Sequence, residues 1–189
     1  MADLRKVASA LLVLAAVTVV VGSFQTTYET VFHGYGPDRS VSTTLWVVVS
    51  DEQTGVQDDE PAFYAAGTPV ALSAALLVLA AVLLVRDRGR ALAMAAAGAL
   101  AGIVFYYVTQ VLHERKIRES WPGGGESFEY TFHAGTYLLV AGAFAGLVGA
   151  VLAQRRPHRP QPEQAVVVHQ LDPDDDTPPF GIERQQEPQ

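Results

Sequence analysis

The sequence predicts an all-α integral membrane fold: a four-transmembrane-helix bundle with a small exterior β-sheet and a disordered C-terminal tail. Three observations carry this expectation. Four long runs, 7–24, 69–85, 91–112 and 135–153, contain no Asp, Glu, Lys or Arg. The segments that separate them on one side, 25–68 and 113–134, include stretches rich in Thr, Val and aromatic residues. The remainder, from Pro157, holds seven of the chain's eleven prolines. At 49% hydrophobic and 17% charged, the average composition would fit a soluble domain. Segregation decides otherwise, because a run of roughly 18 or more uncharged apolar residues can cross the ~30 Å hydrocarbon core as a helix. A soluble enzyme is excluded. Residues 1–156 are expected to form the membrane domain and 157–189 its tail.

The first helix, 7–24, follows Arg5 and Lys6. It has features of a secretory signal, a basic start and small residues at Val21-Gly22-Ser23. Its apolar stretch exceeds the ~7–15 residues typical of such signals, which favours a retained helix. Basic residues near membrane ends collect on the cytoplasmic side. Arg5 and Lys6, then Arg86, Arg88 and Arg90, then Arg155, Arg156 and Arg159 all fall on one side if four helices alternate. Both termini are therefore expected in the cytoplasm of a multi-pass plasma-membrane protein. Arg115, Lys116 and Arg118 oppose this arrangement but are outnumbered.

Between the first and second helices, 25–32 (QTTYETVF) and 42–49 (STTLWVVV) read as strands, and His33 to Asp38 supplies a turn. Two strands alone are marginal in water. Residues 127–133 (SFEYTFH) alternate and offer a third strand, so both exterior segments should join in one sheet resting on the helix ends. Asp51 to Glu60 would form its exposed acidic loop. His113 to Glu119 should extend the third helix by a turn or two, and Trp121 to Gly125 should end it. The tail cannot bury enough apolar surface to offset the entropy of ordering.

Two glycine pairs have the spacing that lets helices approach closely in lipid: Gly98 with Gly102, and Gly142 with Gly146, the latter extended by Gly149. Packing within the bundle is the simpler reading; a second copy or another membrane subunit is the functional one. In the tail, Asp174, Asp175, Asp176, Pro178, Pro179 and Phe180 place acidic residues beside an aromatic one. They read either as a passive solubilising stretch or as a motif that orders on a partner.

Several chemistries are missing. No ionisable residue lies within the four runs, so a proton or ion pathway within one copy is not expected. Among the polar side chains there, Thr109, Gln110 and Thr136 sit near the exterior ends. Tyr106, Tyr107 and Tyr137 read as interface anchors or bundle filler. With no cysteine, disulfides and thiolate metal sites are impossible. His33, His113 and His133 with Glu29, Glu114 or Glu129 could supply metal ligands, but their spacing matches no ligand motif, and solvated histidines are the simpler reading. No nucleophile, metalloprotease or phosphate-binding motif is present. No cofactor is implied. Nucleic acid is not an expected partner, because segment 25–68 carries a net charge of −6 and the tail −5.

Four helices, a long strand-like first exterior segment containing Trp46, a shorter second one and a cytoplasmic tail together resemble the claudin type of tetraspan protein. The resemblance is one of topology, and Trp46 stands without the paired cysteines of that family. It carries over no site residue. The dominance of Arg over Lys, with abundant Ala, Val and Gly, points to a GC-rich bacterial genome. The expected function is a non-catalytic accessory or scaffold protein of a bacterial cell-envelope complex, its partners being the lipid bilayer and membrane or envelope proteins, with homo-oligomerisation allowed. The alternative is an oligomeric small channel or transport component.

Overall fold

The computed structural model describes residues 4–33, 38–50, 60–61, 66–86, 88–119 and 127–155. In chain order these form α1 (Leu4–Phe24), β1 (Tyr28–His33), β2 (Arg39–Thr43), β3 (Val47–Ser50), β4 (Glu60–Pro61), α2 (Gly67–Val85), α3 (Arg90–Glu119), β5 (Ser127–Phe132) and α4 (Ala134–Gln154). All four helices are long and apolar enough to cross a membrane. The third continues through the charged residues 113–119 as one uninterrupted helix. The tail, including Asp174–Asp176, Pro178, Pro179 and Phe180, lies outside the described residues, as do the acidic stretch 51–59 and the turn 120–126.

α1 packs on α2 and α4, and α3 packs on the same two helices, closing a four-helix bundle. Its core is built from small and branched residues such as Ala8, Leu12, Ala15, Leu77, Ala80, Ala97 and Leu100. Large apolar side chains also cover the outside: Leu14 is 57% exposed, Leu72 62%, Phe105 71% and Phe144 69%. A helix that is apolar on every side belongs in a lipid or protein interior rather than in water. At the end away from the sheet, α2 stops when the N–H groups of Arg86 and Arg88 both donate to Leu83 O, at 3.1 and 2.9 Å. Gly89 then reverses the chain at φ +87°, where a Cβ would also meet Leu83 Cβ at 2.6 Å. The Gln154 side-chain amide donates to Arg90 O at 2.9 Å and ties the end of α4 to the start of α3.

The strands make a five-stranded antiparallel sheet in the order β4-β3-β2-β1-β5. The α1–α2 and α3–α4 connections thus share one sheet, with β1 from the first paired to β5 from the second: Glu29 lies opposite Thr131, and Val31 opposite Glu129. The expectation of a single strand over 42–49 is corrected. That stretch divides into β2 and β3, which pair with each other across a turn at 44–46. The Thr44 hydroxyl accepts hydrogen bonds from the N–H groups of Trp46 and Val47, at 3.1 and 3.0 Å, in place of a continued strand ladder. The main-chain N–H of Thr44 donates to Val47 O, which closes the hairpin. Leu45 at its tip is buried to 1% exposure.

Candidate functional site

The sheet meets the bundle at Thr27, just before β1. Thr27 is fully buried, and its hydrogen-bond partners come from β2, α3, α4 and the residue between β5 and α4. Its N–H and its hydroxyl both donate to Thr43 O, at 2.8 and 2.7 Å, binding it to β2. With that hydroxyl proton engaged, Thr27 Oγ1 is left as the acceptor for the Tyr107 hydroxyl of α3, 2.7 Å away. Thr27 O accepts from His133 N–H at 2.9 Å and from the Thr136 hydroxyl of α4 at 2.7 Å. Among the described residues no buried side-chain nitrogen or oxygen lacks a partner. A satisfied buried network of this kind fixes geometry, because a polar group left without its partner is costly in a low-dielectric setting.

A second joint sits beside it. Trp46 donates from Nε1 to Ser23 Oγ at 3.1 Å and stacks on Phe24, with ring centroids 5.5 Å apart. Leu45 N–H donates to Ser23 O at the end of α1, and Leu45 O accepts from Gly67 N–H at the start of α2. Gly67 is the residue that permits this approach: a Cβ there would lie 2.5–2.8 Å from atoms of the Trp46 ring. The hairpin tip is therefore clasped by two helices while Thr27 joins the sheet to the other two.

The faces of the sheet separate by chemistry. Phe128, Tyr130 and Phe132 on β5 are half-buried, whereas Ser127, Glu129 and Thr131 are exposed. Tyr28 and Phe132 pack on the bundle core, and Phe32 meets Phe128 edge to face at 5.3 Å. The opposite face carries three histidine–carboxylate contacts, two of which link β1 to β5 or to the residue that follows it. His133 Nε2 lies 3.1 Å from Glu29 Oε2. His33 Nδ1 lies 3.0 Å from Asp38 Oδ1, and its Nε2 is 3.7 Å from Glu129 Oε2. Hydrogen bonding to Asp38 raises the His33 pKa above its ordinary value of 6.5, with smaller raising contributions from Glu129. Among the described residues, no group of three or more His, Asp or Glu side chains is arranged to hold a metal ion. His113 stands apart on the exposed side of α3.

The two glycine pairs occupy different environments. On α4, a Cβ at Gly142 would lie 2.5 Å from Val19 Cγ1 and 3.2 Å from Ala15 O, so this glycine sits directly on α1. Gly149 is less tightly placed, with a Cβ there 3.2–3.3 Å from Leu11 Cβ, Leu12 Cδ2 and Ala8 O. Gly146 has more room, with its nearest neighbour, Ala15 Cβ, at 3.6 Å. Among the described residues, nothing lies within 4 Å of a Cβ placed at Gly98 or Gly102 on α3. The α1–α4 contact also uses glycines that sequence spacing does not single out: a Cβ at Gly22 would lie 2.9 Å from Leu138 Cβ, and one at Gly135 would lie 3.0 Å from Gly22 O and 2.7 Å from Gln25 O and Thr26 O. Thr27 is equally inconspicuous in the sequence, whereas Tyr107, expected as an interface anchor or bundle filler, is buried in the bundle and hydrogen-bonded to Thr27.

Neither a protein-family model nor a curated protein matches this chain.

Proposed function

We propose that this chain is a non-catalytic, four-pass membrane protein that serves as an accessory or scaffold subunit of a bacterial cell-envelope complex. Both termini lie in the cytoplasm, and the sheet lies outside. The supporting observation is the attachment of the sheet: the Thr27 node and the Trp46–Gly67 clasp tie it to all four helices. A sheet held in this way presents its polar face, with Glu129 and Thr131, in a fixed orientation to the bilayer. Such preorganisation favours protein–protein contact because little ordering entropy is lost on binding. The bundle beneath it has no charged side chain in its apolar runs on which transport chemistry could turn. Thr109, which a channel reading would use together with Gln110 and the acidic exterior segment, shares its hydroxyl proton between the backbone carbonyls of Phe105 and Tyr106.

Isolation of the tagged protein from native membranes in mild detergent tests the proposal. The full chain is compared with a copy ending at Arg156 and with a Glu129→Arg, Thr131→Arg double variant. A discrete companion protein lost with either alteration is the expected result, and which alteration removes it assigns the contact to the tail or the sheet. A homo-oligomer with no companion, conducting ions in liposomes, would replace the scaffold reading with the channel reading.

A further inference from the structure

A groove of about 510 Å³ runs between α3 and α4 beneath β5, lined by Val108, Leu112, Phe132, Tyr137, Val140 and Phe144 among others. The lining hydroxyl of Thr136 is engaged with Thr27 O. A groove so poor in polar partners gives water nothing to bond and is suited to hydrocarbon. Its span along α4, from Tyr137 to Phe144, is about 10 Å at 1.5 Å per residue, the length of part of an acyl chain. On α3 the lining residues Val108 and Leu112 are four apart. The next position on that stripe, one turn nearer the sheet, is the exposed Lys116, with exposed Arg115 beside it. Glu114 is half-buried and continues a different stripe, that of the buried Tyr107 and Val111.

From this succession of apolar groove and cationic rim we infer that α3 and α4 hold one acyl chain of an anionic phospholipid, with its headgroup phosphate at Lys116 and Arg115. The inference rests on the membrane reading above and adds a ligand class to it. The geometry matches a lipid's own order, hydrocarbon below and phosphate above, and a cation near a membrane surface favours an anionic headgroup by about fivefold.

Nanodiscs containing equal amounts of dioleoyl phosphatidylglycerol and dioleoyl phosphatidylcholine provide the test, with native mass spectrometry of the lipid retained on the full-length protein. The expected result is one retained phosphatidylglycerol, favoured over phosphatidylcholine by at least about fivefold. An Arg115→Gln, Lys116→Gln double variant should bring that ratio close to one. Ala141→Trp, which fills the groove, should lose both lipids while helix content stays unchanged. Equal retention of the two lipids by the unaltered protein overturns the inference, as does an unchanged preference in the double variant. Flotation with vesicles separates the two readings: a chain that does not float overturns the membrane reading and this inference together, whereas one that floats without headgroup preference overturns only the inference.

Discussion

Thr27 and Tyr107 illustrate how the donor and acceptor assignments of single hydroxyls decide the cost of losing them. Tyr107 donates to Thr27 Oγ1, and Thr27 donates to Thr43 O. Tyr107→Phe removes a donor and leaves Thr27 still bonded, so it should cost about 1 kcal/mol. Thr27→Val strands the buried Tyr107 hydroxyl and should cost more, about 1–3 kcal/mol. The combined variant should then be no less stable than Thr27→Val alone, since the stranded group is gone. Thermal unfolding in detergent reads all three, and strictly additive losses would show that the hydroxyls are not coupled. His33 carries a prediction of its own. Its folded pKa is raised, so the Asp38 contact stabilises the fold fully below about pH 6.5 and is lost as pH rises through the folded value. Titration of the His33 ring by NMR should show the raised value, and Asp38→Asn should return it toward 6.5; an unmoved midpoint would contradict the contact.

At the level of elements, the glycines divide by what they touch. Gly142→Ala should destabilise the α1–α4 pair, because its Cβ has Val19 on one side and the Ala15 carbonyl on the other. Gly98→Ala and Gly102→Ala should be neutral or should gain up to ~1 kcal/mol of helix propensity, since nothing stands within 4 Å. Loss of folded protein in all three would mean that α3 also packs through its glycines. Sequence spacing treats the two pairs alike and cannot rank them, because the difference lies in which side of each helix meets a neighbour. The helices themselves were legible, since uncharged apolar runs of that length have few other uses. The pairing of β1 with β5 was legible in part from the alternation in 127–133. The break between β2 and β3 was not: 42–49 is uninterrupted in β propensity, and the turn is held by the Thr44 hydroxyl and by Leu45 reaching Ser23 and Gly67. Those contacts are tertiary, and local pattern does not contain them. The same reason hid Gly67, whose need to be glycine comes from a tryptophan 21 positions earlier in the chain.

On the scale of the whole molecule, the sheet and the α2–α3 turn occupy opposite ends of the helices, and the juxtamembrane bases are concentrated at the turn end. The orientation proposed from the positive-inside tendency has Arg86, Arg88 and Arg90 in the cytoplasm and the polar face of the sheet outside. Every partner-binding role proposed for that face depends on this orientation. The chain contains no cysteine, so single cysteines can report it without background. Thr131, exposed on β5, and Arg88, exposed in the α2–α3 turn, are the positions to use. The decisive measurement is labelling of Thr131→Cys and Arg88→Cys in intact cells with a membrane-impermeant maleimide. With the sheet outside, Thr131→Cys reacts at once and Arg88→Cys reacts only after permeabilisation. The reverse pattern, or immediate reaction at both, would contradict a four-pass chain that presents its sheet to the exterior.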